Sequence, residues 1–195
     1  SRDWIGRRLV GAAASRDLTR FKMKPVHEEI SDLLSNPKEY RFSCPKEARK
    51  KAMDFLARRE YGQQELINKL ADKGFDREIA ELAVARLAED GLQSNERFAE
   101  NFIQSRINQG KGPVRIRIEL SQRGIDEAAI ESAIEGCDAN WHALARDVRL
   151  RKFGRRQPAD FKAKAKQMRF LQYRGFEPDH IQRAMDTDPD AIQDI

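Results

Sequence analysis

Two stretches of this 195-residue chain concentrate groups able to grip an anion. Between Arg146 and Arg174 stand Arg146, Arg149, Arg151, Lys152, Arg155, Arg156, Lys162, Lys164, Lys166, Arg169 and Arg174, opposed only by Asp147 and Asp160. The middle of the chain adds Arg106, Lys111, Arg115, Arg117 and Arg123. Like charges gathered this way repel one another, a cost most easily understood when an anion normally sits among them. Nucleic-acid phosphate would make binding salt-sensitive. An acidic protein groove would use the same charges for on-rate and register. The third reading is a solvated face on a highly charged protein, and Arg151, Arg156 and Lys164 fit it best. Lys162, Lys166 and Arg169 follow i, i+4, i+7 spacing, which places them on one helix face. Phe153, Phe161, Phe170 and Tyr173 interleave with these charges and could stack on bases. Their helical spacing is that of core residues, and core is the expectation for all four.

Enzymatic chemistry finds little support. Gly110-Lys111-Gly112-Pro113 lacks the frame of a phosphate-cradling P-loop, and Pro113 removes an amide such a cradle would use. His27, His142 and His180 are scattered, without the i, i+4 pairing of a metal-binding helix. Cys44 and Cys137 stand far apart with no CxxC, so neither a disulfide framework nor a zinc site is indicated. No nucleophile, base and orienting group suggest themselves together. The expectation is a non-enzymatic chain without cofactor or metal.

The elements that carry the charges repeat. Leu70 to Asp76 reads LADKGFD, Leu120 to Asp126 reads LSQRGID, and Leu171 to Glu177 reads LQYRGFE. Their glycines lie at 74, 124 and 175, spacings of 50 and 51 residues. Gly after an apolar-periodic run is the usual left-handed terminator of a helix. The acid two residues later can cap the next helix, with the intervening apolar residue stapled to Ala80, Ile130 or Ile181. Glu177 is a poorer cap, and Pro178 at the first helical position compensates. Each unit therefore reads as three helices with a tight Gly turn before the last. The fold class is all-α, an elongated array of three tandem three-helix repeats behind an N-terminal extension, because units this small bury enough only by stacking. The divisions are an extension at 1–43, repeats at 44–92, 93–138 and 139–187, and an acidic tail at 188–195. Short hinges near Leu92–Asn95 and Cys137–Asn140 would let the units bend.

One segment resists. Val114 to Leu120 alternates apolar and polar residues, a strand pattern. The repeat register argues for helix, since Ile116 and Leu120 fall where Leu66 and Leu70 fall, and Pro113 fits position N1. On a helix Arg115 and Arg117 point about 200° apart, and Arg115 shares a side with Arg123.

With 37 Lys+Arg against 32 Asp+Glu the net charge is +5, which favours an anionic partner. No apolar run approaches the ~18–20 residues of a membrane span, so a cytoplasmic monomer without membrane contact is the simplest reading. In the extension, Val26 to Leu34 could form one amphipathic helix, and Trp4 has no obvious partner.

The residues from Ser94 to Ile103 (SNERFAENFI), Gly112 to Leu120 (GPVRIRIEL) and Arg123-Gly124-Ile125 resemble the RecX family. Ala57 to Leu66 and Arg169 to Phe176 support the likeness in the flanking repeats, and it covers roughly residues 45 to 187. The resemblance implies tandem three-helix repeats in a bacterial cytosol and a regulator, most simply an inhibitor, of the RecA recombinase. It implies binding to the RecA–DNA filament, along its helical groove, with direct contact to single- or double-stranded DNA in some members. Lys111, Arg115, Arg117 and Arg123 are the first candidates for the filament-binding face, with Arg146, Arg149, Lys152, Lys162, Lys166 and Arg169 next. The competing reading is a DNA-binding helical module with no recombinase partner, since helix–turn–helix units also read DNA.

Overall fold

A computed structural model describes residues 42–186, and every regular element among them is a helix. The first repeat holds α1 (Pro45–Leu56), α2 (Gln63–Ala71) and α3 (Arg77–Glu89). The second holds α4 (Asn95–Asn108), α5 (Pro113–Ser121) and α6 (Glu127–Glu135). The third holds α7 (Trp141–Phe153), α8 (Phe161–Tyr173) and α9 (Pro178–Asp186). The alternating segment is thus helical: Ile116 and Leu120 are fully buried beneath α5, as Leu66 and Leu70 are beneath α2. Full burial of such a side chain is worth about 1.5–3 kcal/mol, more than the strand propensity of Val and Ile can oppose. Trp4 and the helix expected over Val26 to Leu34 lie outside the described residues.

The repeated turns have the expected chemistry. Gly74, Gly124 and Gly175 take φ of 95°, 75° and 89°. The amide after each Gly donates to the carbonyl five residues back, as from Phe75 to Leu70, closing the middle helix with a Schellman turn. Phe75, Ile125 and Phe176 are buried against the last helix of their units. Asp126 caps α6 through the Ala129 amide, whereas Asp76 holds the N-cap position of α3 with no side-chain capping bond. Each unit has its own apolar core, centred on Leu66, Leu70 and Leu87, on Ile103, Ile116 and Leu120, and on Ala145, Leu171 and Ala184.

Neighbouring units are locked through the same two features. The start of one middle helix enters the Gly turn of the next repeat. Gly112 N–H donates to Arg174 O at 2.9 Å and Val114 N–H to Gly175 O at 3.0 Å, which satisfies amides that a helix start leaves open. A Cβ at Gly112 would overlap the Gly175 carbonyl, and one at Gly175 would overlap Arg115. The first junction repeats this more loosely, with Gly62 against Phe98 and Ile125, and Gly124 against Gln64. Side chains reinforce it: the buried Gln93 donates to Tyr61 O at 3.0 Å, and Asn95 accepts from the Gln63 amide at 3.0 Å. The Leu92–Asn95 hinge is therefore pinned to both repeats rather than loose. At the first repeat Phe42 occupies the corresponding place beside Gly74 and packs edge-on to Phe75.

Gly112 has φ of −86°, open to any residue, so its requirement is steric alone. Gly112→Ala should lower unfolding stability in urea by about 3 kcal/mol, because only backbone lies in the way. Gly91→Ala, at φ 68° with nothing within 4 Å of its Cβ, should lose only about 1 kcal/mol.

Candidate nucleic-acid and partner interface

The cations of the second repeat are largely engaged within the fold. Glu119 is their hub, with Arg106 Nε at 2.6 Å and Arg115 Nε at 2.8 Å on its two carboxylate oxygens. Arg123 Nη1 donates to the Glu119 carbonyl at 2.6 Å. Burial alone would push the Glu119 carboxyl up, but the Arg115 and Arg106 guanidiniums outweigh it and hold it below its ordinary range. Arg106 and Arg123 also lie over Phe102, at 4.2 Å and 4.6 Å from its centroid. Together with Arg59 and Phe98 of the first junction they line a groove of about 530 Å³.

Arg117 is an inter-repeat tie. Its Nε and Nη2 grip both oxygens of Glu131 at 2.7 Å and 3.0 Å, and its Nη1 reaches Glu177 of the third repeat at 2.9 Å. The Glu131 bonds raise its pKa above the ordinary arginine value. Lys111, half-buried in the α4–α5 turn, carries no ion pair among the described residues.

The third repeat divides its cations differently. Arg149 is a correction: it is fully buried, so it offers no surface charge. Its Nη1 lies 3.4 Å from Gln167 Oε1, its Nε and Nη2 have no partner, and burial lowers its pKa. Arg146 is half-buried, with Nε 3.6 Å from Asp147. Lys152 and, along α8, Lys162, Lys166 and Arg169 are exposed. These four carry no ion pair among the described residues.

The aromatic expectation holds for half of its members. Phe153 and Phe170 pack edge-on at 5.3 Å, but Phe161 and Tyr173 are each 86% exposed. Tyr173 lies at i+11 from Lys162, so the helical period returns it to the cationic face of α8 rather than to the core.

Sequence reading also missed a histidine pair. The His142 and His180 rings meet edge-on at 4.8 Å. His142 Nε2 lies 3.4 Å from Asp179 Oδ2, while His180 Nδ1 accepts from the Glu177 amide at 3.2 Å. Burial pushes the His180 pKa below its ordinary value, and the neighbouring Glu177 carboxylate only partly opposes this. Among the described residues no cluster of His, Cys, Asp or Glu could hold a metal ion. No helix among them is long and apolar enough to cross a membrane.

Comparison with known proteins agrees with the repeat register. Three family models match in series: the first three-helix domain of RecX over residues 48–87, the second over 94–134 and the third over 142–185. Regulatory protein RecX of Pseudomonas putida strain W619 is 46% identical over 141 residues, covering 72% of this chain and 90% of that protein. Its counterpart in Pseudomonas fluorescens strain SBW25 is 47% identical over 137 residues, covering 70% and 88%. A crystal structure of regulatory protein RecX superposes with a TM-score of 0.66 at 20% identity, over 84% of this chain and 79% of that one. That of RecX from Lactobacillus salivarius gives 0.65 at 21%, over 76% and 97%. At these identities the two structures speak for the fold alone.

Two outcomes follow from the buried and bridging groups. Because the folded state holds His180 below its unfolded pKa, it binds fewer protons, so stability should fall as pH drops below about 6.5. The loss levels off once pH is below the folded value. His180→Asn retains an acceptor for the Glu177 amide and removes the titration, so urea midpoints between pH 7 and 5.5 should fall less steeply in the variant. Second, Arg149→Met should raise stability by about 1–3 kcal/mol by removing a buried unpaired charge. Arg117→Met should lower it by about 1 kcal/mol, since Glu131 and Glu177 remain partly solvated. Thermal unfolding of the two variants reads both signs.

Proposed function

The chain belongs to the RecX regulatory family, and on that premise we propose that it restrains the RecA–DNA filament. It binds along the filament through the basic faces of its second and third repeats and limits growth or stability, thereby modulating recombination, repair and the SOS response. The observation that carries this reading is the array itself. Three units pinned to one another by backbone and ion-pair contacts hold free cations at fixed positions, as a ligand that tracks a polymer requires. Lys111, Lys152, Lys162, Lys166 and Arg169 supply charge that carries no ion pair among the described residues, with exposed Arg115 at the edge of the Glu119 hub. Arg117, Arg123 and Arg146 act by setting the surface. The chain works by binding, and ATP hydrolysis belongs to the recombinase.

The second reading, a DNA-binding module with no recombinase partner, rests on the same free cations. RecA-catalysed, single-stranded-DNA-dependent ATP hydrolysis separates the two. Added well below one copy per RecA subunit, the chain should suppress hydrolysis. Unchanged hydrolysis at several-fold excess, together with salt-sensitive DNA binding, would replace the regulator reading with the module reading.

A further inference from the structure

The three middle helices occupy one register, so their exposed faces can be compared position by position. The same two exposed positions hold Asn68 and the C-cap Asp72 of α2, Ile118 and the C-cap Gln122 of α5, and Arg169 and Tyr173 of α8. Helix α8 also has 13 residues where α2 and α5 have 9, and its extra first turn contributes Phe161 and Lys162. Lys162, Lys166, Arg169 and Tyr173 then form a single stripe at i, i+4, i+7 and i+11, about 16 Å long. The three cations carry no ion pair among the described residues, and Tyr173 is 86% exposed. Exposing two large aromatic rings on one helix contributes nothing to folding, and it sets α8 apart from an ordinary solvated face.

We infer that this stripe of α8 is a binding site for single-stranded nucleic acid, with the cations on consecutive phosphates and a base stacked on Tyr173. It rests on the filament-binding reading for its context and assigns the strand contact to α8 rather than to the arginines of α5. The chemistry selects the occupant. Three unpaired positive charges in a row complement a polyanion, and a ring with its face in solvent complements an unstacked base. A duplex keeps its base faces covered, and a run of carboxylates complements the row but leaves the ring without a partner. The arginines of α5 are less available: Arg115 is held by Glu119 and Arg117 by Glu131 and Glu177.

The test uses the full chain alone, without recombinase, and fluorescence anisotropy of two labelled strands of equal length, oligothymidylate and its abasic counterpart. Tyr173→Ala should weaken oligothymidylate binding by at least about five-fold, leave the abasic strand unaffected, and be rescued by Tyr173→Phe. Lys162→Gln/Lys166→Gln/Arg169→Gln should weaken both strands and reduce the salt slope by about two, the value for three single-strand phosphates. All these positions are exposed, and far-UV circular dichroism checks that helicity is retained. As a second readout, Tyr173→Trp should show fluorescence quenched by oligothymidylate and not by the abasic strand. Unchanged affinity in the triple variant overturns the site. Equal loss on both strands with Tyr173→Ala, or displacement by polyglutamate as efficient as by oligothymidylate, overturns the nucleic-acid assignment. If RecA hydrolysis is suppressed while strand binding ignores α8, this inference fails and the regulator reading stands. Strand binding through α8 without any effect on RecA does the reverse.

Discussion

The rest of the molecule depends on a backbone contact: the start of α5 seated in the Gly175 turn. Two unsatisfied amides at a helix N-terminus meet two carbonyls at the end of another helix, and neither glycine has room for a Cβ. Such a contact is directional as well as close. It fixes where the third repeat stands relative to the second, and Arg117 then finds Glu177 already within reach. The first junction uses the same pair of elements at a slightly greater separation and recruits Gln93 and Asn95 to supply the missing hydrogen bonds. A single geometric device, applied twice with different side chains around it, converts three marginal helical units into one body.

The placement of acids then sorts the charges. Middle-repeat arginines are neutralised in pairs and triads, by Glu119 and Glu131 of their own unit and by Glu177, which the junction brings to Arg117. The N-terminus of helix α8 is capped by Asp160 through the Ala163 amide. Among the described residues Lys162, Lys166 and Arg169 on its outer face carry no ion pair. Charge density along the sequence is high in both places, yet free charge differs because the second repeat's arginines meet Glu119 and Glu131 within their own unit and Glu177 across the junction, whereas Lys162, Lys166 and Arg169 meet no carboxylate among the described residues.

The repeat made the fold legible. Glycines at 74, 124 and 175, with the residues around them in register, specify helix, turn and helix three times over, and the register overrode the strand-like alternation of Val114 to Leu120. The site was less legible, for reasons that differ by residue. Arg115 and Arg117 looked alike in sequence, but only the fold brings Glu177, 60 residues away, to Arg117. Aromatic residues at helical spacing are commonly buried, which points Tyr173 to the core, whereas its angle relative to Lys162 points it outside. His142 and His180 met through tertiary packing that no local pattern encodes.

The burial of Arg149 is legible in the repeat register. Counted from their N-caps, Ser94 and Asn140, Ile103 and Arg149 hold the same place on the first helix of their repeats. Gln167 likewise stands where Leu66 and Ile116 stand on the middle helix. The third repeat thus replaces two buried apolar positions with a polar pair joined only by a 3.4 Å contact. A core altered in that way has less apolar area to stabilise it and two guanidinium nitrogens without partners. The third repeat must then draw more of its stability from the Gly175 junction and the Arg117 triad than from its own interior. The unit presenting the free cationic face is the one whose order depends most on its neighbour, so loosening the junction would disturb that face before it disturbed the cores of the first two repeats.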